Sequence, residues 1–459
     1  MGREAVAPFS AGKLSDGQVV GSLIEHGVRC SRGAWLMKKL RFTLGALALL
    51  AAGPSVAAPQ GDEPVAVSAG VRQGIDFIYV DPDLANVSRH QRPQNWLDRM
   101  FSGSAGQSGG PSRMFADLAR GLQQYRASWG RLPQVKLPAG PTLKRGMTGK
   151  RVALLRTRLG LSPGGAYDDQ LGRVVADYQR VHGLGSGDGI AGSATIASLN
   201  RGSEYYARRI AINMERAYRL PAIGSYDRYV VVDSGAAETY LINRDRVADS
   251  MRVVIGSVKT KTPMMAVILR SARANPYWNV PPELIRSLTA ARIKQQGLTY
   301  LRDFHYEVLS DWTVNARPID PASVNWAAIA SGRKAPTILV RQLPGPWNSM
   351  GAMKFEMPND YGIYLHDTPH KELFAQTDRW VSNGCVRLED YQRFADWVFG
   401  RPPEVTSPLE QRFVLERPIP VFMTYLTVAP SRDGVTFRPD PYGFDTQAMA
   451  QMFGGGRGA

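Results

Sequence analysis

Around Tyr361-Gly-Ile-Tyr-Leu-His-Asp-Thr-Pro-His370 and Val381-Ser-Asn-Gly-Cys-Val-Arg-Leu-Glu-Asp390, the chain gathers two of its six histidines and one of its two cysteines. His366 ends an apolar run, and Cys385 lies in a Ser-x-Gly-Cys motif. A cysteine and a histidine that meet in the fold can form a thiolate–imidazole pair. We therefore predict that these two residues form the reactive centre.

The residues beside this pair indicate acyl transfer. A thiol of ordinary pKa is mostly protonated at neutral pH, so Cys385 needs a base, and His366 is the best candidate. We expect His366 to end a strand and Cys385 to precede a helix from Leu388 to Phe399. Gly384 permits a tight bend that would leave amide N–H groups free for an oxyanion, each worth roughly 3–4 kcal/mol.

Composition limits the partners of the chain. It has 459 residues, of which 44% are apolar, and this length predicts two or three domains. Its formal charge of +16 indicates an acidic partner: nucleic acid, an anionic membrane surface or an anionic polymer such as a cell wall. Charge alone does not choose among these three.

A targeting signal narrows that choice. Met37-Lys-Lys-Leu-Arg precedes a short apolar run and the small residues before Pro59, a pattern typical of a secretory signal peptide over 37–58. We expect residues 1–36 to be a mis-assigned translation start and the protein to be periplasmic. Export would leave Cys385 as the single cysteine, which indicates a working thiol, and would exclude a nucleic-acid partner.

Periodicity predicts a multidomain α+β chain. Residues 59–140 have helical patterns and are interpreted as a scaffold, and short β-branched runs from Tyr229 onward predict a β-rich domain. Strand candidates in that domain are Tyr229–Val232, Thr239–Ile242, Met251–Ile255, Ala335–Val340, Tyr361–Leu365 and Pro420–Thr427. The predicted boundaries are a three-helix module over 141–200, a connecting helix within 201–228, a catalytic domain over 229–428 with a lid insertion at about 281–334, and a tail over 429–459 that ends in disorder.

Two families are similar to parts of this sequence. Residues 141–200 resemble the three-helix peptidoglycan-binding domain through Gly146-x-x-Gly-x-x-Val152, Tyr178-Gln179 and Asp188-Gly-x-x-Gly192. Around the reactive pair, the sequence resembles the L,D-transpeptidases with a YkuD-type catalytic domain, specifically their larger YcbB-like branch. The motifs that carry this second resemblance are His366-Asp-Thr-Pro369, Ser382-Asn-Gly-Cys-Val-Arg387, Asn275-Pro-Tyr-Trp-Asn-Val-Pro281, Arg341-Gln-Leu-Pro-Gly-Pro-Trp-Asn348 and Lys354-Phe-Glu-Met-Pro-Asn359.

The resemblance implies a cell-wall enzyme. Cys385 would attack the carbonyl between diaminopimelate and the terminal D-Ala of a tetrapeptide stem, D-Ala would leave, and an amine of a neighbouring stem would take the acyl group in a 3→3 cross-link. His366 would be the base, with its other ring nitrogen held by a backbone carbonyl. No metal or cofactor is implied, carbapenems are expected to inhibit, and partner proteins, if any, are expected among those of cell-wall synthesis.

The resemblance also assigns residues around the pair. Arg387 would hold a stem carboxylate, because a guanidinium suits a bidentate contact. Tyr364 and Trp278 would line the substrate cleft, although a core role is equally compatible with each. Asn383 stands where the family has a second histidine, and because Asn does not titrate, His366 is the expected sole base.

Other functions stay open at this point. Water as the acceptor would give an L,D-carboxypeptidase. A relative of low activity could act as a wall-binding scaffold, and a secreted cysteine peptidase could use the same Cys–His pair. A metal site at His366 and His370 is disfavoured, because Pro369 opposes the helix that would place the two rings together.

Overall fold

The computed structural model describes four stretches of the chain: 77–85, 112–185, 187–432 and 434–454. All of them belong to one compact unit. The predicted start region 1–36 and signal peptide 37–58 lie outside the described residues. No helix in the described stretches is long and apolar enough to cross a membrane.

The N-terminal part contains a short strand and a series of helices. They are β1 (Phe77–Val80), α1 (Pro82–Ala85), α2 (Arg113–Ala127), α3 (Lys150–Arg158), α4 (Asp169–Val181), α5 (Ser193–Arg201) and α6 (Ser203–Ala217). Side-chain caps fix two of the starts: Ser112 accepts a hydrogen bond from the N–H of Phe115, and Asp168 accepts one from that of Leu171. These caps satisfy amides that a helix start would otherwise leave unpaired.

Helices α3, α4 and α5 surround an apolar core of their own. Val152, Leu155, Leu171 and Val175 are fully buried in it, and Leu199 is almost so. The helical patterns of the sequence therefore do correspond to helices here. The interpretation of this bundle as a peptidoglycan-binding module stays a prediction.

Helix α6 does more than connect. It begins at Ser203 and ends at Ala217, within the predicted range of 201–228, and most of its residues are buried. It packs against α2 and against the C-terminal part of the chain, in a core that includes Ile210, Met214 and Phe437. This packing ties the N-terminal scaffold to the other end of the chain.

The main sheet closes into a ring. Its strands are β2 (Arg228–Asp233), β3 (Glu238–Asn243), β4 (Arg246–Gly256), β5 (Met264–Ala274), β9 (Met353–Glu356), β10 (Leu365–His366), β12 (Val386–Leu388) and β13 (Gln411–Thr424), with β1 beside β5 and β11 (Trp380–Ser382) beside β4. The order is β5-β13-β2-β3-β4-β12-β10-β9, and β9 also pairs with β5. The ring encloses the largest apolar core, in agreement with the predicted β-rich domain.

The predicted insertion at 281–334 folds around a separate core. Its elements are β6 (Trp278–Asn279), α7 (Pro282–Leu284), a π-helical turn (Ile285–Ala290), α8 (Ala291–Gln296), α9 (Thr299–Asp303), β7 (Tyr306–Leu309), α10 (Trp326–Ala330) and β8 (Leu339–Gln342). Strands β6, β8 and β7 form a three-stranded sheet apart from the ring. The strand candidate at Ala335–Val340 therefore belongs to the insertion and begins only at Leu339. Its role as a lid stays a prediction.

The prediction of a tail over 429–459 is wrong for most of that range. Strands β14 (Val428–Ser431) and β15 (Gly434–Phe437) form a hairpin, and a helix follows, Phe444–Phe453. This last helix is α12, and the helix before it in the chain is α11 (Tyr391–Phe399). The hairpin and α12 pack on α6, because Val428, Val435, Phe437 and Ala448 supply buried apolar surface.

Candidate active site

Parallel pairing of β10 and β12 brings His366 and Cys385 to the same place. Leu365 lies opposite Val386, and His366 lies opposite Arg387. The N–H of Val386 donates to the carbonyl of Tyr364 at 2.9 Å. Cys385 directly precedes β12, so this bond places it beside Tyr364.

Strand alternation then separates reactive side chains from core side chains. Successive residues of a strand point to opposite faces. Leu365 and Val386 are fully buried in the apolar core inside the ring. Tyr364 and His366 of one strand, and Cys385 and Arg387 of the other, therefore share the opposite face.

The local structure around Cys385 differs from the prediction in one respect. A strand follows the cysteine, and helix α11 begins only at Tyr391, where the carboxylate of Asp390 accepts a hydrogen bond from the N–H of Arg393 at 2.9 Å. The thiol therefore lies at a strand start. This is why its neighbours come from an adjacent strand and not from a helix terminus.

His366 is almost fully buried and neutral. Its Nδ1 lies 2.5 Å from the carbonyl oxygen of Asp367, so Nδ1–H donates there and Nε2 keeps its lone pair. Burial, with the charges of Arg387 and Lys354, lowers its pKa to about 3, although the carbonyls of Asp367 and Met350 oppose the shift. An imidazole that stays neutral near pH 7 is in the form that accepts a proton.

Asp367 orients this imidazole and was not singled out in the sequence. Its carboxylate accepts a hydrogen bond from the N–H of Ala352 at 2.8 Å and forms an ion pair with Lys371 at 2.6 Å. Gly351 has a φ of 62° there, and a Cβ at that position would clash with the Asp367 carboxylate. The His-Asp pair in the motif was the available signal for this orienting role.

Cys385 is partly exposed and carries the one free thiol among the described residues. Its Sγ lies 3.6 Å from the carbonyl oxygen of Gly362. Burial raises the pKa of this thiol, while a backbone hydrogen bond from Tyr364 and the charges of Lys354 and Arg387 act in the opposite direction. Both pKa shifts favour an uncharged pair, a thiol beside a neutral imidazole.

The raised pKa gives a prediction for alkylation of the thiol. Because only the thiolate reacts, the rate of iodoacetamide modification of Cys385 is expected to rise about tenfold per pH unit between about pH 7 and pH 9. The rate is measured from the mass of the peptide that contains Cys385, with a short cysteine peptide as the reference. A rate already constant from pH 7 upward would contradict the raised pKa.

The turn at Gly384 has the predicted bend, but the N–H of Gly384 itself is engaged within the turn. Gly384 does adopt a left-handed φ of 119°, as a tight bend requires. Its N–H, however, donates to the hydroxyl of Ser382 at 3.1 Å. The hydroxyl of Ser382 in turn donates to the carbonyl of Cys385 at 2.6 Å. Asn383 is exposed on the same turn. A role of this turn in binding an oxyanion stays a prediction, with a donor other than the N–H of Gly384.

Hydroxyl groups of Thr262 and Tyr442 support the turn that contains Gly384. Thr262 donates to the carbonyl of Gly384 at 2.7 Å and accepts from the N–H of Gly256 at 2.8 Å. Tyr442, from the range predicted as a tail, donates to the carbonyl of Gly256 at 2.5 Å. The C-terminal part of the chain therefore supports the turn that carries the cysteine.

The three predicted substrate-binding residues lie in different surroundings. Arg387 is half-buried opposite His366, and its Nε is buried without a hydrogen-bond partner in the described part of the chain. Tyr364 shares the face of Cys385 and His366. Trp278 belongs to the sheet of the insertion and packs against Tyr306, with ring centroids 6.2 Å apart, so its contacts fit a core role.

The second histidine of the motif is not part of this arrangement. His370 is exposed, and its Nδ1 lies 3.2 Å from the carboxylate of Glu372. Across the described stretches, no group of three or more His, Cys, Asp or Glu side chains lies close enough to hold a metal ion.

Comparison with known proteins shows what the ring domain is similar to. Residues 227–405 match the family model described as the YkuD L,D-transpeptidase catalytic domain. The similarity to this family model is confined to these residues, which are less than half of the chain. The matched residues contain the strands from β2 to β12 and the insertion.

A curated relative and solved structures are also similar to parts of the chain. A Haemophilus influenzae protein, provisionally named an L,D-transpeptidase, is 31% identical over 252 residues, which are 52% of this chain and 48% of the relative. The chain thus spans about half the length of that relative. An L,D-transpeptidase from Mycobacterium smegmatis is 13% identical over 43% of this chain and 58% of its own, with a TM-score of 0.23. A cysteine-to-serine mutant of an Enterococcus faecium L,D-transpeptidase is 12% identical over 44% and 53%, with a TM-score of 0.22.

Proposed function

We propose that this protein is an exported L,D-transpeptidase that forms 3→3 cross-links in peptidoglycan. The observation that carries the proposal is the pairing of β10 with β12, which puts Cys385 and His366 on one polar face. The match of residues 227–405 to the family supports it. The predicted signal peptide supports a periplasmic location, and the helices α3 to α5 would bind the wall.

The proposed reaction has two halves. In the first, Nε2 of His366 takes the thiol proton while Sγ of Cys385 attacks the carbonyl carbon of the diaminopimelate–D-Ala bond. The C–N bond breaks, the leaving amine receives the proton, and a thioester remains. In the second, an amine of a neighbouring stem attacks the thioester, its proton passes to His366, and the thiolate leaves and is reprotonated. The acceptor determines the product, since water would release a tripeptide instead of a dimer.

Binding of the donor substrate would favour transfer of the thiol proton to His366. The thiol rests protonated, so a bound substrate that excludes water and brings negative charge near the imidazole would favour the ion pair. Arg387 would hold a stem carboxylate; its Nε, buried and unpaired among the described residues, supports this role.

The test uses the purified full-length protein with tetrapeptide muropeptides. Mass spectrometry is expected to find free D-Ala and 3→3 dimers, and incubation with a carbapenem is expected to raise the protein mass by one inhibitor molecule. Release of D-Ala without dimers would replace the cross-linking proposal by a carboxypeptidase. No D-Ala release and an unchanged mass would favour a wall-binding scaffold and sink the enzyme proposal.

A further inference from the structure

Lys354 lies in the same row of side chains as the reactive pair. On β9 it is directly opposite His366, and His366 is opposite Arg387 on β12. Its neighbour Phe355 lies opposite Leu365 in the apolar core, so the Lys354 side chain is on the polar face. Two cationic side chains therefore flank the imidazole, one on each neighbouring strand.

The side chain of Lys354 is buried, and its ammonium group has few partners. Its side chain is only 7% exposed, and the nearest carboxylate oxygen, on Glu356, is 3.9 Å away. The other close group is the ring of Tyr364, whose centroid lies 4.0 Å from Nζ. Among the described residues, no acceptor lies within hydrogen-bond distance of Nζ, although an ammonium has three donors to satisfy.

The carboxylate of Glu356 is already engaged by other groups. It accepts a hydrogen bond from the hydroxyl of Ser271 at 2.6 Å and one from Nε of Arg273 at 2.5 Å. Nε of Arg412 lies 3.6 Å from its second oxygen. One negative charge is therefore shared among three cations, and Lys354 is the most distant of them. Burying a charge without a matched partner is unfavourable.

Two other lysines near the site show what a satisfied ammonium looks like here. Lys371 contacts the carboxylate of Asp367 at 2.6 Å and the carbonyl of Glu389 at 3.0 Å. Lys261 donates to the carbonyl of Tyr442 at 2.7 Å. Lys354 lacks any contact of this kind in the described part of the chain, so its three donors are available to a ligand.

We infer that Lys354 binds a carboxylate of the donor stem, an inference that rests on the proposed function. Tyr364 lies beside Cys385 and touches the ammonium, so an anion on Lys354 is about one side chain from the sulfur. Two carboxylates of a tetrapeptide donor lie within such a distance of the scissile carbonyl: that of the terminal D-Ala and that on the side chain of diaminopimelate. Bound there, the anion would neutralise Lys354 and relieve the positive charge that opposes protonation of His366.

The experiment compares Lys354→Met with the unaltered full-length protein on three donors: the free tetrapeptide, its D-alaninamide form and the form with an amidated diaminopimelate side chain. For the free tetrapeptide we expect KM for D-Ala release to rise about tenfold or more in the variant. For the donor whose engaged carboxylate is amidated, the variant and the unaltered protein are expected to differ little, because both then lack the contact. That non-additivity identifies which of the two carboxylates is held.

Matched variants separate this role from a structural one. Lys354→Arg keeps the charge and is expected to recover part of the loss in KM, whereas Lys294→Met removes an exposed lysine of α8 and is expected to change nothing. Equal losses with all three donors, or a KM unchanged by Lys354→Met, would overturn the inference. If Lys354→Met unfolds, the Lys354→Arg variant and the donor comparison on the unaltered protein still decide. Failure of the unaltered protein to release D-Ala from any donor would instead overturn the proposed function.

Discussion

Cys385→Ala is expected to abolish both D-Ala release and carbapenem adduct formation, and His366→Gln to slow acylation about a hundredfold to ten-thousandfold. The cysteine provides the atom that bonds to the acyl group, so nothing replaces it. Removal of a general base costs less, because the thiolate that exists without its help still reacts. Both effects are measured from the rate at which the protein mass increases with a carbapenem.

Controls for these variants come from the same segment. His370 lies four residues after His366 but is exposed and bound to Glu372, so His370→Ala is expected to leave the acylation rate unchanged. Because His366 is buried, the thermal midpoint of His366→Gln is measured beside its rate. A folded His366→Gln protein that is acylated at the normal rate would remove His366 from the mechanism. An adduct on Cys385→Ala would place the nucleophile elsewhere.

The sequence was informative about the reactive pair for a simple chemical reason. Cys385 and His366 are residue types with few ordinary uses, and both stand in short motifs rich in Gly and Ser. The strands at β2, β3 and β4 were also predictable, because β-branched residues cluster there between turn residues. What the spacing could not give was the parallel pairing of β10 with β12, which depends on the closed sheet as a whole.

The errors have physical causes as well. Strand β5 was missed because it is buried on nearly its whole length, and a continuous apolar run such as Met264-Met-Ala-Val-Ile-Leu269 lacks the alternation that marks a half-exposed strand. Leu388 was assigned to a helix because its apolar neighbours also fit the helical period, whereas pairing with β4 makes it a strand residue. No signal in the sequence indicated a role for Lys354, because its position beside His366 depends on the register of β9 and β10.

The largest error of the sequence-based prediction is the tail over 429–459. Its Gly- and Pro-containing segments and its Gly-rich end are typical of a tail, and no local pattern reveals that they have distant partners. The structure shows those partners in Tyr442, which supports the Gly256 carbonyl next to the active-site turn, and in Asp445 of α12. Buried apolar side chains of the hairpin and long-range contacts of a few polar residues together fix this region in place.

Asp445→Asn is expected to lower the free energy of unfolding by about 3–5 kcal/mol, the usual effect of breaking a buried ion pair. The side chain is 3% exposed, and its two oxygens contact Nε of Arg209 at 2.8 Å and Nη1 of Arg216 at 2.6 Å, both also buried. Thr427 donates to the same carboxylate at 2.6 Å. The neutral amide would remove the buried negative charge that both guanidinium groups of α6 contact. Unfolding by urea, followed by tryptophan fluorescence, measures the loss.

An exposed ion pair of the same chemistry provides the matched control. Arg145 and Asp169 lie 2.7 Å apart with side chains 76% and 54% exposed, so Asp169→Asn is expected to change stability by no more than about 0.5 kcal/mol. Equal effects of the two substitutions would mean that the buried triad of Asp445, Arg209 and Arg216 contributes no more to stability than a surface ion pair.

The pH dependence of stability tests the same triad by a second route. Burial alone would raise the pKa of Asp445, but Arg216 and Arg209 together hold it below its ordinary value. A carboxyl whose pKa is lower in the folded state stabilises the protein above its unfolded pKa, and that stabilisation is lost as the pH falls through the folded pKa. The unaltered protein should therefore lose its advantage over Asp445→Asn only below about pH 4. A difference that stays constant down to acid unfolding would show that the carboxylate charge is not what α6 requires.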